Sequence, residues 1–129
     1  MALTVLAAAG IQVHAQKLAP ALYGEAKIEI TKPAMKFSGN EVITTLQIKN
    51  MEAAPIAGLK VDEFWYDSNG RPMATTTYLH PKPLQAGEVI SVTLKTNRVK
   101  GLSRNKVGFT HAHGTIKQTI VPKLDAPKT

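Results

Sequence analysis

Between Val42 and Leu94 the chain alternates short β-prone runs with turn signals, and that rhythm limits what it can fold into more than any other feature. In residues 42–50, Val42, Thr44, Leu46 and Ile48 fall on one side of a period-two pattern, with Thr45, Gln47 and Lys49 on the other. Period two is the signature of a half-buried strand, and it predicts the first set inward. A connection with Pro55 and Gly58 leads to a second run, 59–67, closed by Ser68-Asn69-Gly70, where Asn-Gly supplies the positive φ of a tight hairpin. The Thr-rich run 73–80 is β-branched, and residues 81–87 turn the chain with two prolines and a glycine. Residues 89–96 then set Ile90, Val92 and Leu94 inward.

Adding 27–31 (K-I-E-I-T) before this region and 106–112 and 115–121 after it, the last two joined at His113-Gly114, predicts seven strands. Lys32-Pro33 interrupts the first of them, and Ser38-Gly39-Asn40 makes a turn. Strands at such spacing indicate an all-β domain, an immunoglobulin-like antiparallel β-sandwich of about seven strands. Trp65, the single tryptophan, lies in the third strand, where such sandwiches bury an indole. Leu59 and Val61 share its face, and so does Glu63, which a core accepts only when hydrogen-bonded. A β-bulge near Asp62-Glu63 is the expected way out of that conflict.

The domain organisation follows. With 129 residues there is room for one core. Residues 1–15 are apolar, Ala-rich and uncharged, resembling the apolar core of a secretory signal with Val13-His14-Ala15 as a cleavage site, though no Lys or Arg precedes the run. The alternative is a buried N-terminal segment. Residues 16–25 read as a connector with Pro20 and Gly24, 26–124 as the β domain, and 125–129 as a tail. No apolar run reaches membrane-spanning length. The absence of cysteine removes disulfides, thiolate metal sites and thiol nucleophiles together.

Four stretches carry a family resemblance: Leu46-Gln47-Ile48-Lys49-Asn50, Leu59-Lys60-Val61, Trp65-Tyr66-Asp67-Ser68-Asn69-Gly70, and Lys82-Pro83-Leu84-Gln85-Ala86-Gly87-Glu88 ahead of Val92. Over residues 42–96 the chain resembles the FxLYD family. Glu63 stands where that family has Phe and Trp65 where it has Leu, whereas Tyr66 and Asp67 match. The resemblance implies an immunoglobulin- or fibronectin-type sandwich of secreted or surface proteins, with no catalytic residues to transfer. The matched residues also have local reasons: Asp67 can accept backbone N–H bonds of the turn it opens, and Gly70 and Gly87 supply turn conformations.

Three functional readings emerge. The net charge of +7 lies wholly in residues 89–124, which hold Lys95, Arg98, Lys100, Arg104, Lys106, Lys117 and Lys123 and no acidic residue. Five of these cluster in residues 95–106, read as a loop, and could bind an anionic polymer or lipid headgroups by long-range attraction. They carry no pattern for specific nucleic-acid readout. His111 and His113, two apart on a strand, could point together at one Zn²⁺ or Cu²⁺ ion, with His80, Glu88 or Met73 as a third ligand. The reading favoured over both is a non-catalytic periplasmic or secreted module, contacting another envelope or secreted protein through strand edges, the basic loop, and Tyr78 or Phe64 where they face solvent. No cofactor is implied. There is no nucleophile motif or phosphate-cradling loop, and adjacent Asp62 and Glu63 face opposite ways on a strand.

Overall fold

The computed structural model describes residues 20–125, and these form eight strands and no helix. In chain order they are β1 (Ala26–Thr31), β2 (Ala34–Ser38), β3 (Glu41–Asn50), β4 (Lys60–Tyr66), β5 (Pro72–Leu79), β6 (Val89–Asn97), β7 (Arg104–His111) and β8 (Gly114–Val121). The all-β expectation holds. The strand beyond the expected seven is β2, which continues the β1 arm past Lys32-Pro33 along the same edge of β3. Ile30 lies opposite Ile48 and Ala34 opposite Thr45, so the arm takes four steps while β3 takes three. One extra residue at the proline absorbs the missing backbone donor without ending the pairing.

The layers are not the purely antiparallel ones expected. The sheet runs β2-β3-β1-β8-β7-β4-β5, with β6 on the far edge of β3, and it curls into a half-barrel. β1 pairs with β8 in parallel, Ala26 with Ile116 through Thr31 with Val121. β8 remains with its hairpin partner β7 only at Thr110–Thr115 and His111–Gly114 before diverging to β1. On the opposite side β5 approaches β6, where the Thr76 and Thr96 hydroxyls meet at 2.7 Å. The sequence shows which residues turn inward, but strand partners are chosen by apolar faces meeting across the whole chain.

Inside, Ala26, Ile28, Ile30, Leu46, Ile48, Ile56, Leu59, Val61, Leu84, Val92, Leu94 and Phe109 form one apolar cluster. The inward set of β3 is as expected, and in β6 Val92 and Leu94 are buried while Ile90 packs at the margin. Trp65 is buried but lies outside this cluster, as does Val42. Each sits one inward position beyond a polar residue, Glu63 on β4 and Thr44 on β3. The expected bulge at Asp62-Glu63 does not occur: both keep regular register, opposite Thr77 and Thr76. The irregularity comes later, where Trp65 pairs with Ala74 and Tyr66 with Pro72, leaving Met73 as the extra residue. Glu63 therefore points inward, and the fold satisfies it there.

Candidate functional site

Glu63 is completely buried. The Thr44 hydroxyl donates to its Oε2 at 2.6 Å and the Asn105 amide donates to the same oxygen at 2.7 Å. The Thr96 hydroxyl reaches Oε1 across a longer 3.4 Å. Four strands, β3, β4, β6 and β7, thus meet in one polar layer. It divides the main apolar cluster from Trp65 and Val42. A buried carboxyl with three donors satisfies the requirement that buried polar groups be hydrogen-bonded. The indole N–H of Trp65 is the exception: among the described residues it has no partner.

The histidines do not form a convergent set. His111 is buried, and its Nε2 donates to the Gly24 carbonyl at 2.7 Å while its Nδ1 accepts the His113 N–H at 3.3 Å. Both nitrogens are committed, which fixes the Nε2–H tautomer and requires a bond to break before a metal could bind. His113 stacks on Tyr23, ring centroids 4.1 Å apart and 17° from parallel. Gly24 N–H also donates to the His113 carbonyl, so the segment before β1 is fastened over the β7–β8 turn. A Cβ on Gly114 would collide with the Gly24 carbonyl, which explains the glycine.

The other candidate ligands are dispersed. His80 follows β5, on the far side of β4 from His111, about 10 Å away at two strand spacings. Its Nδ1 is bonded to the half-buried Tyr78 hydroxyl. Glu88 accepts the Gln85 N–H within its turn. Met73 lies beside Tyr66, six residues along β4 from Lys60 and so about 20 Å from the His111 end. Among the described residues no three metal-ligating side chains come together.

The five clustered cations are all exposed, yet only part of their segment is a loop. Lys95 belongs to β6, and Arg104 and Lys106 belong to β7. Lys95 projects from the outer face of one layer and Lys106, paired with Phe64, from the other. The connection between these strands crosses the end of the barrel: Arg98 N–H donates to the Asn40 carbonyl and Ser103 N–H to that of Tyr66. The Arg98 guanidinium lies 4.6 Å over the exposed Phe37 ring. The charges therefore surround one end of the molecule instead of forming one platform. Ion pairs among the described residues are Lys60–Asp62, Arg71–Asp67 and Lys123–Asp125, and none uses these five cations.

At this same end Asp67 closes the β4–β5 hairpin as expected. Its Oδ1 accepts the N–H groups of Asn69 and Arg71, each at 2.9 Å, and Oδ2 accepts Arg71 Nε at 3.1 Å. The Arg71 N–H, followed by the Asn69 N–H, the Arg71 guanidinium and the charge of Arg104, holds this carboxyl below the ordinary aspartate range against its partial desolvation. A carboxyl that is more acidic in the folded chain stabilises above its unfolded pKa, and that contribution fades as pH falls through the folded value. Chemical unfolding should accordingly show stability declining below about pH 4. Asp67→Asn, which keeps an oxygen for the two N–H donors, should flatten that slope; an unaltered slope would contradict the assignment.

The feature missed from sequence is a groove of about 330 Å³ where β7 and β8 part. It is lined by Ile30, Lys32, Pro33 and Met35 on one side and by Asn105, Val107 and Phe109 of β7, with Gln118 and Ile120 of β8. Parallel register sets Gln118 and Ile120 beside the core residues Ile28 and Ile30, so they face the interior. Ile120 is nonetheless 62% exposed, because no strand covers it. Asn105 joins the groove to the polar layer through its bond to Glu63.

No family model matches the chain, and a search of curated proteins finds no match. Solved structures do resemble it. IrmA from Escherichia coli is 11% identical with a TM-score of 0.50, over 80% of this chain and 99% of that one. The Salmonella enterica trimeric lipoprotein SadB is 18% identical with a TM-score of 0.46, over 59% of this chain and 46% of that one. The resemblance to the Escherichia coli protein extends over most of both chains and is one of fold.

Proposed function

We propose that this chain is a non-catalytic, extracytoplasmic module of immunoglobulin-like kinship that contacts another envelope or secreted protein. The observation carrying the reading is the uncovered interior of β8. Ile120, Met35 and Phe37 expose large apolar side chains where the inner faces of β8 and β2 are left uncovered. Exposed apolar surface of this sort, rimmed by polar residues, is characteristic of a contact surface. The apolar residues 1–15, which lie outside the described residues, and the resemblance to the FxLYD family support an extracytoplasmic setting. An anionic-polymer site is less favoured, because the cations turn toward both outer faces.

Two measurements in a bacterial host test this reading. N-terminal sequencing of the cell-derived protein should find Gln16 or Lys17; a cytoplasmic chain beginning at Met1 would overturn export. A photo-crosslinker at Ile120 or Met35 should join the chain to another envelope protein, whereas one at Ser91, on the outer face of β6, should not. Equal yields from all three positions would remove the contact surface.

A further inference from the structure

We infer that the groove between β7 and β8 is an acceptor site for an extended polypeptide segment of a partner protein, with apolar and acidic side chains in alternation. The inference rests on the contact reading above and specifies its occupant.

Backbone pairing is the starting point. β7 is fully paired with β4 on one edge, Arg104 to Thr110, but on the other it meets β8 only at Thr110 and His111. Every other residue of 104–109 thus turns unpaired N–H and C=O groups to the groove, the alternate ones being bonded to β4. β8 is in the same condition beyond Thr115, since its sheet bonds go to β1. Two strand edges that began as a hairpin therefore face each other across a gap. Unpaired edges of this kind recruit an added strand, whose main chain supplies affinity while pockets for alternate side chains supply specificity.

The chemistry on either side of such a strand sets its sequence. Side chains of an added strand lie beside those of its neighbours, on the same face. Inward positions would enter the groove among Val107, Phe109, Ile30 and Ile120, a lining that accepts apolar side chains. Outward positions would stand beside the exposed Arg104 and Lys106 of β7 and Lys117 of β8, none of which has an acidic partner among the described residues. Acidic residues on that face would gain charge complementarity, and basic ones would be repelled. Asp67 lies at the Arg104 end, where Arg71 already engages it.

The test uses the purified chain and synthetic peptides of about eight residues, close to a typical strand length. One alternates Val or Ile with Glu, one has that composition scrambled, one replaces Glu by Lys, and one carries N-methyl groups on alternate amides. Fluorescence anisotropy should show the Val/Glu peptide binding about tenfold or more tightly than each of the other three. Ile120→Glu, a change at an already exposed position, should weaken it by about tenfold, while Thr93→Glu on the outer face of β6 should not. Lys106→Glu should narrow the margin between the Glu and Lys peptides, since Arg104 and Lys117 remain. Equal binding of the alternating and scrambled or N-methylated peptides would overturn the inference. So would indifference to Ile120→Glu, or sedimentation showing a second copy of the chain in the groove. If crosslinking at Ile120 succeeds and the peptides fail, the contact reading stands and only this occupant is rejected.

Discussion

Replacing Glu63 with alanine should lower the free energy of unfolding by about 3–4 kcal/mol, read from urea denaturation followed by Trp65 emission. The loss has two parts. Thr44 Oγ1 and Asn105 Nδ2 are left without their acceptor, each orphaned donor costing about 1–3 kcal/mol, and a void opens between the apolar cluster and the indole. Thr96 suffers less, since its hydroxyl already meets that of Thr76. Removing a buried carboxyl relieves a desolvation cost, which keeps the total from reaching the sum of the parts. Glu63→Gln should cost only about 1 kcal/mol, because one amide oxygen can accept from Thr44 and Asn105 while the NH₂ faces Thr96. Glu63→Leu should fall between the two, because its bulk fills the void while Thr44 and Asn105 still lack an acceptor. An alanine variant as stable as the parent would show the layer to be energetically idle.

Trp65→Ala should be as damaging, about 3–5 kcal/mol, with far-ultraviolet circular dichroism as the readout because the sole indole is gone. The indole is buried at the barrel end crossed by the connection between β6 and β7. Its truncation leaves a cavity next to Glu63, the preceding inward position of β4, that rigid strands cannot close. Trp65→Phe should cost less than half as much, since it also removes an N–H that has no acceptor among the described residues. The double variant of Glu63 and Trp65 should fall short of the summed single effects, because one collapse serves both sites. Full additivity would mean that the two side chains do not share an environment.

Much of this architecture is readable residue by residue. Alternation placed Val42, Thr44, Leu46 and Ile48 inward, and Asn69-Gly70 closes its hairpin with Gly70 at φ 80°. Asp67 caps that turn because the short side chain of an aspartate reaches the N–H groups just ahead of it in the chain. Glu63 was readable as a conflict but not as its solution, for Thr44, Thr96 and Asn105 are 19, 33 and 42 residues away. The strand β2 is not legible locally because Pro33 marks an ending, and only β3 across the sheet carries the chain past it. Likewise, spacing alone set His111 and His113 side by side. Gly24, 87 residues from His111, then claims one of its nitrogens.

Local chemistry by itself thus determined the all-β class, most strand positions, the inward faces and the turns, because backbone sterics and period-two burial act between neighbours in the chain. Which strands meet was decided only in three dimensions. β8 parts from β7 to lie parallel to β1, where Ile116 can join the apolar side of Ala26 and Ile28. That choice leaves two strand edges and an apolar wall open between them. The groove exists because burial of apolar surface is collective, and a sequence read locally cannot state which partner offers more of it.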